Sequence, residues 1–485
     1  MKFLKSTLCA LLSAALLLCS GCGTTTAATS TSTEETTDDS PVTISVWTYY
    51  NGDQLDAFNS MVDEFNQTVG QEKNINVVAS SQGGVNELET SVLASAEGKV
   101  GAEPMPNIFS AYADTAYALD QMGQIVDLKN YLTDDEIKSY VDGYLTEGDF
   151  DGNGSIKILP VAKSTELMFI NQTDWDEFAQ ATGATYDDLS TIEGLVDTAE
   201  KYYNWTDSQT PEAGDGKALF GRDAMANYML IGAKQLGCTI FQVKDGKMTL
   251  DFPEDIARKL WDNYYVPYVK GYFAASGKFR SDDVKTGNII AYVGSTSSSS
   301  FFPAQVITSD TESHDIQRDV LPCPHFKDGE NYAVQQGAGM VVTKASEREI
   351  QASVEFLRWF TDPTRNISFS VSTGYLPVTK SGSNMDTIRS SGLDISADIE
   401  AVLTEAVNTV NQDTMYTPTA FSKGTDARAV LENTLNDAAA PDRATVEERL
   451  AQGQTLEEAT AEFLTDEHFN AWYQNTLTAL KEYEG

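Results

Sequence analysis

Apolar and polar positions alternate with two different periods through the first part of the chain. Val42, Ile44 and Val46 are separated by polar residues, and this period of two predicts a strand. Apolar residues spaced three or four apart over residues 55–65 lie on one face of a predicted helix. The same two periods predict strands at residues 75–79 and 107–112 and helices at residues 88–96 and 116–122. Strands that alternate with helices favour an α/β fold whose mostly parallel sheet is covered on both faces.

Helix patterns dominate the rest of the chain. Residues 190–193 have the spacing of a capping box, and an apolar helix face follows them. Residues 254–272 predict a helix rich in aromatic residues, and residues 346–349 (SERE) cap another. The last third is largely helical and ends in a helical pattern over residues 455–483. We find no internal repeat of about 20–50 residues, which argues against a solenoid.

The N-terminal segment has the pattern of an export signal. Two lysines precede an apolar run over residues 8–18, which is too short to span a bilayer and is typical of a signal-peptide core. Small residues then precede Cys22 in a segment that resembles a bacterial lipobox, in which the cysteine is acylated. We therefore expect residues 1–22 to be a lipoprotein signal peptide and Cys22 to carry the lipid; an uncleaved membrane anchor is the alternative.

The composition after the signal indicates a tether and then a globular body. Residues 23–40 are rich in threonine and serine, contain no aromatic residue and predict a disordered linker. The whole chain carries 72 acidic residues against 33 Lys and Arg, a net charge of −39, which opposes binding to nucleic acid. Beyond the signal, the cysteines are Cys238 and Cys323. An exported protein allows a bridge between them, but two separate, inert thiols are the preferred interpretation.

Recognisable catalytic motifs do not occur in the sequence. It contains no G-x-S-x-G elbow, no HExxH, no Walker loop and no dinucleotide-binding glycine motif. The three histidines, His314, His325 and His468, have no second ligand at metal spacing. We therefore expect a protein that is not an enzyme and binds no cofactor or metal, with a secreted hydrolase as the alternative.

One acidic loop allows two interpretations. Residues 149–156 (DFDGNGSI) match the first eight positions of a calcium-binding loop, but Pro160 stands where the bidentate acid is required. A D-G-N-G run is also a strong turn between two strands. The hairpin turn is the preferred interpretation, because the loop lacks the acid that supplies two ligand oxygens.

A polar cluster follows directly. Residues 156–160 predict a strand that runs into a proline, and residues 167–171 predict another. Between them lie Lys163, Ser164, Thr165 and Glu166. Polar side chains between two buried strands are expected to face a cleft, and a solvated connection is the alternative.

The segment that contains this cluster (IKILPVAKSTELMFINQTDWDEF) resembles a crossover of the extracellular solute-binding proteins of ABC importers, in the family typified by carbohydrate binders. Three further stretches resemble the same family in the same order: MPNIFSAYADTAYALDQMGQIVDL at residues 105–128, NIIAYVGSTSSSSFFP at residues 288–303, and parts of residues 319–380 that include STGYLPVTK. The resemblance implies a two-lobed α/β fold of the type II periplasmic-binding-protein kind. Each lobe would hold a mixed, mostly parallel sheet flanked by helices, with hinge crossovers between the lobes.

The resemblance also implies the lobe boundaries. The crossovers are expected near Lys163, at residues 319–322 and at residues 374–378. The N-terminal lobe would then comprise residues 41–163 and 323–377, and the C-terminal lobe residues 164–322 and 378–485.

The candidate ligand contacts follow from the matched motifs and from the rule that open α/β sheets bind ligands at the carboxyl ends of their strands. Aromatic faces next to polar groups suit a sugar, whose C–H faces stack while its hydroxyls form hydrogen bonds. The set comprises Tyr49, Tyr50, Asn51, Ser81, Gln82, Tyr112, Asp114, Ser164, Thr165, Glu166, Ser295, Thr296, Gly337, Gly339 and Tyr375.

The expected function is that of an extracytoplasmic, lipid-anchored binding protein that delivers a carbohydrate to the permease subunits of an ABC transporter. It is expected to be a monomer that contacts the membrane only through the lipid on Cys22. The alternative ligand is a polyol or a glycerol-phosphate ester, which requires cationic partners in the cleft. Lys163, Arg222 and Arg365 are the candidates.

Overall fold

The computed structural model describes residues 40–485, and residues 41–485 form one compact unit. The predicted signal peptide, the lipidation of Cys22 and all but the last residue of the predicted linker lie outside the described residues. Within the described part, no helix is both long and apolar enough to cross a membrane.

The strands form two four-stranded sheets and three two-stranded ones. They are β1 (Val42–Thr48), β2 (Ile75–Ser81), β3 (Ile108–Ala111), β4 (Glu166–Asn171), β5 (Phe220–Arg222), β6 (Phe241–Lys244), β7 (Lys247–Leu250), β8 (Ala291–Ser295), β9 (Gln305–Ser309), β10 (Glu312–Asp315), β11 (Arg318–Pro322), β12 (Tyr332–Val334), β13 (Gly339–Val342) and β14 (Thr414–Tyr416).

The helices cover these sheets. They are α1 (Gly52–Gln67), α2 (Val69–Lys73), α3 (Val85–Ala96), α4 (Ala113–Gln121), α5 (Asp134–Ser139), α6 (Asp142–Leu145), α7 (Gln172–Thr182), α8 (Ile192–Asp207), α9 (Met225–Gln235), α10 (Glu254–Val269), α11 (Arg280–Lys285), α12 (Glu347–Phe360), α13 (Pro363–Thr373), α14 (Met385–Arg389), α15 (Ala397–Gln412), α16 (Gly424–Ala451), α17 (Leu456–Thr460) and α18 (Asp466–Lys481). The helices and strands predicted at the start of the body and at the SERE cap are confirmed, whereas the C-terminal pattern splits into α17 and α18.

The first sheet has the strand order β13-β3-β1-β2. Strand β1 pairs in parallel with β2 and with β3, so the residues that follow β1 and β3 reach the same edge of the sheet. Strand β13 returns antiparallel to β3. Apolar side chains of β1, β2 and β13 pack against α1 and α12 in one core, which includes Val46, Phe58 and Phe356.

The second sheet has the order β11-β4-β8-β5. Only β5 and β8 pair in parallel, while β4 pairs antiparallel with both β8 and β11. The predicted two-lobed α/β fold with mixed sheets is confirmed, but the expectation of a mostly parallel sheet is wrong for this second sheet. Its core extends through α8, α9 and α10 to α16 and α18 and includes Trp261 and Leu431.

Three chain segments meet between the two sheets, and we call this region the crossing (residues 159–166, 334–340 and 374–378). Lys163 exchanges backbone hydrogen bonds with Leu376, and Ser164 exchanges them with Gln336. Residues 319–322, predicted as the second crossover, lie within β11 of the second sheet. The crossovers and the lobe boundaries by residue number remain a prediction.

The acidic loop is a turn without flanking strands. The Asp149 carboxylate accepts backbone N–H groups of Asn153 (3.0 Å) and Gly154 (2.9 Å), so it closes the loop on itself. The predicted hairpin is wrong, as is the strand into Pro160, where Leu159 makes only an isolated bridge. Among residues 40–485, no group of three acidic, histidine or cysteine side chains is placed to hold a metal ion.

The two body cysteines are separate thiols, as the preferred interpretation predicted. Burial raises the pKa of each thiol to about 11. Both therefore remain protonated at neutral pH, and protonated thiols are poor nucleophiles.

Candidate functional site

A cavity of about 790 Å³ opens between the carboxyl ends of β1 and β3 and the second sheet, and we call it the large cavity. Its size suits a small molecule. Six of the fifteen predicted contact residues line it: Tyr49, Asn51, Tyr112, Ser164, Ser295 and Tyr375.

Three tyrosines form one wall of the large cavity. Tyr49 follows β1 and Tyr112 follows β3, and their rings stack with centroids 6.4 Å apart. The Tyr49 hydroxyl lies 3.3 Å from that of Tyr375 and accepts the backbone N–H of Ala338. Burial raises the pKa of all three phenols, so they are neutral hydroxyls that both donate and accept hydrogen bonds.

Serines that end or follow β8 form a second wall of the large cavity. Ser295 ends β8 and caps a short 3-10 helix (Thr296–Phe301). Its hydroxyl lies 3.0 Å from that of Ser297. The side-chain nitrogen of Gln54, at the start of α1, donates to the Ser297 carbonyl at 3.2 Å, and this bond joins the two walls. Ser297 and Gln54 line the cavity but were missed, because nothing in their spacing marks them as site residues.

Exposed apolar side chains surround the mouth of the large cavity. Phe279, Phe301 and Ile307 are 53%, 55% and 42% exposed and line it. Aromatic residues of this size are normally buried, so two exposed phenylalanine rings at one cavity indicate a surface for stacking. Sequence reasoning missed them, although Phe301 lies inside the matched segment at residues 288–303.

Two acidic residues, Asp223 and Asp282, also line the large cavity. Burial raises the pKa of Asp223 to about 6, although the backbone N–H of Arg280 donates to its carboxylate at 2.9 Å. Lys278 and Lys285 line the cavity from its exposed side.

A second cavity of about 450 Å³ adjoins the large one, and Tyr112 and Gln336 line both. Asp114, another predicted contact, lines this second cavity. Its carboxylate accepts the backbone N–H of Phe421 at 3.3 Å.

Two predicted contacts lie behind the large cavity. Thr165 is 0% exposed, and its hydroxyl donates to the Val334 carbonyl at 2.9 Å. Glu166 forms a buried ion pair with Arg222 and accepts from the Asn227 amide at 2.9 Å. Both line a pocket of about 20 Å³, which holds little more than one water molecule.

The remaining predicted contacts line neither cavity: Tyr50, Ser81, Gln82, Thr296, Gly337 and Gly339. Tyr50 is buried in the first core, and the Ser81 hydroxyl donates to its carbonyl at 2.8 Å. A side chain on Gly339 would lie 2.2 Å from Ile158, so this glycine is needed for packing.

The predicted cations are engaged elsewhere. Lys163 is 0% exposed and bonds to Glu147 and to the Gly337 carbonyl. Arg222 is paired with Glu166 inside the second lobe. Arg365 lies on α13, stacked over Trp359 at 4.7 Å.

The model of the bacterial extracellular solute-binding protein family matches residues 60–393. That is more than half of the chain, and the chain belongs to this family. It is thus an extracytoplasmic binding protein. No curated protein matches its sequence.

Solved structures share the fold over nearly the whole chain. The structure is similar to a cyclic α-maltosyl-1,6-maltose binding protein from Arthrobacter globiformis (TM-score 0.63, 19% identity, 91% of this chain and 100% of that chain). It is also similar to UgpB from Mycobacterium tuberculosis in complex with glycerophosphocholine (0.63, 18%, 90% and 98%). A third similar structure is the GacH receptor of Streptomyces glaucescens, solved unliganded and with acarbose (0.64, 14%, 92% and 100%). At these identities the likeness shows the fold alone.

Proposed function

We propose that this solute-binding protein captures a carbohydrate in the large cavity and delivers it to the permease of an ABC importer. The observation that carries the proposal is the lining of that cavity. Three tyrosines and the serines Ser164, Ser295 and Ser297 line it together with two exposed phenylalanines. Sugar rings stack on aromatic faces, and their hydroxyls pair with neutral donors and acceptors.

The cations argue for a sugar over a phosphate ester. Lys163 and Arg222 are both neutralised by buried glutamates. Lys278 and Lys285 line the cavity only from its exposed side, beside Asp282. The similar structures of a cyclic-oligosaccharide binding protein and of an acarbose complex support a carbohydrate ligand. The similar glycerophosphocholine complex is the reason to include phosphate esters in the test.

A thermal-shift screen tests this function. The protein is heated with sugars, oligosaccharides, polyols and phosphate esters. A ligand present at 100 times its dissociation constant adds about 2.7 kcal/mol to the free energy of unfolding, which raises the melting temperature measurably. A response to phosphate esters with none to any sugar would overturn the carbohydrate proposal.

We also propose that the bound sugar leaves unchanged. Long incubation of a bound oligosaccharide followed by chromatography should return it intact, and new products would point to the hydrolase alternative.

The membrane anchor is proposed from the sequence pattern around Cys22. Metabolic labelling with radioactive palmitate should mark the parent protein and leave a Cys22→Ser variant unlabelled. Equal labelling of both proteins would overturn this assignment.

A further inference from the structure

The second cavity differs from the large one in its charge. Glu89 on α3, Asp114 on α4 and Glu147 line it from the first lobe, and Glu432 on α16 lines it from the other side. Within residues 40–485, Arg428 is the only lysine or arginine in this lining.

The cations present do not balance this lining. Lys163 pairs with Glu147 from behind the wall. The Arg428 guanidinium donates to the Asn227 side chain at 3.3 Å, and its charge only partly opposes the rise that burial causes in the pKa of Asp114. The lining therefore carries four carboxylates and one guanidinium, with Lys163 behind it, and keeps an excess of negative charge.

The pKa values of two of these carboxylates are raised. Burial raises the pKa of Asp114 to about 6, although Arg428 and a backbone hydrogen bond oppose the shift. The neighbouring charges of Glu89 and Glu147 raise it further. Burial also raises the pKa of Glu432, although its carboxylate accepts the backbone N–H of Ala226 at 2.7 Å. A buried carboxylate with a raised pKa gains from a cation placed next to it.

A second, independent feature points to a ligand here. Gln335 lines the second cavity and is 6% exposed, yet its side-chain nitrogen has no hydrogen-bond partner. The side-chain nitrogen of Gln336 and the hydroxyl of Thr417, also in the lining, have none either. Buried polar groups are nearly always paired, so three unpaired polar atoms among the residues of one lining indicate a polar partner at this cavity.

We propose that the second cavity binds the protonated amine of a polyhydroxylated solute, such as an amino sugar, whose neighbouring ring lies in the large cavity. This rests on the proposed carbohydrate function. The ammonium group donates to the carboxylates of Asp114 and Glu432, and ring oxygens accept from Gln335. A neutral sugar leaves the negative charges uncompensated, and a phosphate is repelled by them.

Calorimetry with matched pairs of ligands tests this. Each pair differs only by an amine in place of a hydroxyl: glucosamine, galactosamine and mannosamine against the parent sugars, and their disaccharides in α- and β-linkage. At pH 7 and low salt, at least one amine-bearing ligand should bind about tenfold or more tightly than its hydroxyl partner.

Two variants and a control locate the effect. Asp114→Asn and Glu432→Gln keep an acceptor for the backbone N–H groups but remove the charge, so each should abolish most of the preference for the amine. Asp437→Asn makes the same change on the exposed side of α16, outside both cavities, and should keep the preference. In the parent, the preference should also weaken from pH 7 to pH 5, because Asp114 takes up a proton with a pKa of about 6.

The outcomes separate this inference from the function on which it rests. If hydroxyl sugars bind and their amine partners bind equally or more weakly, the amine site is refuted and the carbohydrate function stands. If an amine preference persists in both charge-removing variants, the second cavity is not its source and the inference is likewise refuted. If no member of the panel binds, both proposals fail.

Discussion

The crossing and the wall of the large cavity share Ser164 and Tyr375, but the polar groups buried in the crossing and those that line the cavity differ in their hydrogen-bond partners. At the crossing, the Lys163 ammonium group bonds to Glu147 and, at 2.8 Å, to the Gly337 carbonyl. The Thr165 hydroxyl donates to a backbone carbonyl of a second crossing segment. These groups are buried, and each partner belongs to the fold.

In the cavity wall, two pairs of hydroxyls lie within hydrogen-bond distance of each other. Tyr49 and Tyr375 lie 3.3 Å apart, and Ser295 and Ser297 lie 3.0 Å apart. Such a pair can exchange its mutual hydrogen bond for one to a ligand at little cost, because no backbone group is left unpaired. The partner of a polar group thus distinguishes a structural residue from a ligand contact better than its residue type does. Changes to the buried groups Lys163 and Thr165 should act on stability, and changes to the hydroxyls that line the cavity should act on affinity.

The largest effect is expected for Lys163→Met, which leaves the Glu147 carboxylate buried without its cation. Removing one partner of a buried ion pair typically costs about 3–5 kcal/mol. We expect the free energy of unfolding, measured by urea denaturation, to fall by this amount.

Lys380→Met is the matched control. Its ammonium lies 2.8 Å from Asp142, but both side chains are at least half exposed. An exposed pair contributes at most about 1 kcal/mol. Equal losses for the two variants would show that the buried pair has no special role at the crossing.

Removing the charge of Asp223 from the cavity wall should raise the free energy of unfolding at neutral pH, whereas the Lys163 change lowers it. The pKa of Asp223 is about 6 in the folded protein, raised by burial from an ordinary value of 3.8. The folded state therefore binds this proton more tightly than the unfolded state, and stability falls as the pH rises from about 4 to 6.

Asp223→Asn should remove this fall and keep an acceptor for the Arg280 backbone. Relative to the parent, the variant should gain roughly 2 kcal/mol of unfolding free energy between pH 4 and pH 7. Urea denaturation at both pH values measures the change. If the free energy of unfolding changes with pH in the same way in both proteins, the ionisation of Asp223 does not destabilise the fold.

The sequence predicted the first sheet well and the second only in part. Apolar patterns marked β1 and β2, and their alternation with helices predicted the parallel pairing that the structure shows. The direction of β4 and β8 was not predictable, because alternation marks a strand without identifying its partner.

The same limit applies to the site. Tyr49 and Tyr112 were found because strand ends converge at one sheet edge, a rule of topology. Thr165 and Glu166 were predicted as ligand contacts from the matched crossover segment. In the structure, the Thr165 hydroxyl bonds to the Val334 carbonyl and the Glu166 carboxylate pairs with Arg222. Phe279 was missed because an aromatic residue outside any periodic pattern is usually part of a core.

Thr165→Val tests whether Thr165 stabilises the crossing, and its expected loss of stability is smaller than that of Lys163→Met. The change keeps the volume and leaves the buried Val334 carbonyl without its donor, which should cost about 1–2 kcal/mol of stability. Affinity for the sugar should stay within about twofold of the parent, a change below about 0.5 kcal/mol. Thr419→Val, at an exposed position, is the control and should change neither quantity. A tenfold loss of affinity with unchanged stability would place Thr165 at the ligand after all.

Tyr375→Phe tests the wall and should give the smallest change in energy. Tyr375 lines the large cavity, and its hydroxyl bonds to the side chains of Tyr49 and Ser297. Because both partners are hydroxyls that can bond to water instead, the ligand-free protein should lose little stability. In the complex, the missing hydroxyl leaves a sugar oxygen unpaired, which should weaken binding by about 1 kcal/mol, or roughly fivefold. Tyr144→Phe is the matched control, because that buried hydroxyl has no partner and lines neither cavity. Calorimetry and melting curves of the three proteins distinguish the roles. A Tyr375→Phe variant that melts lower but binds as tightly as the parent would mean that the tyrosine wall supports the crossing and does not contact the solute.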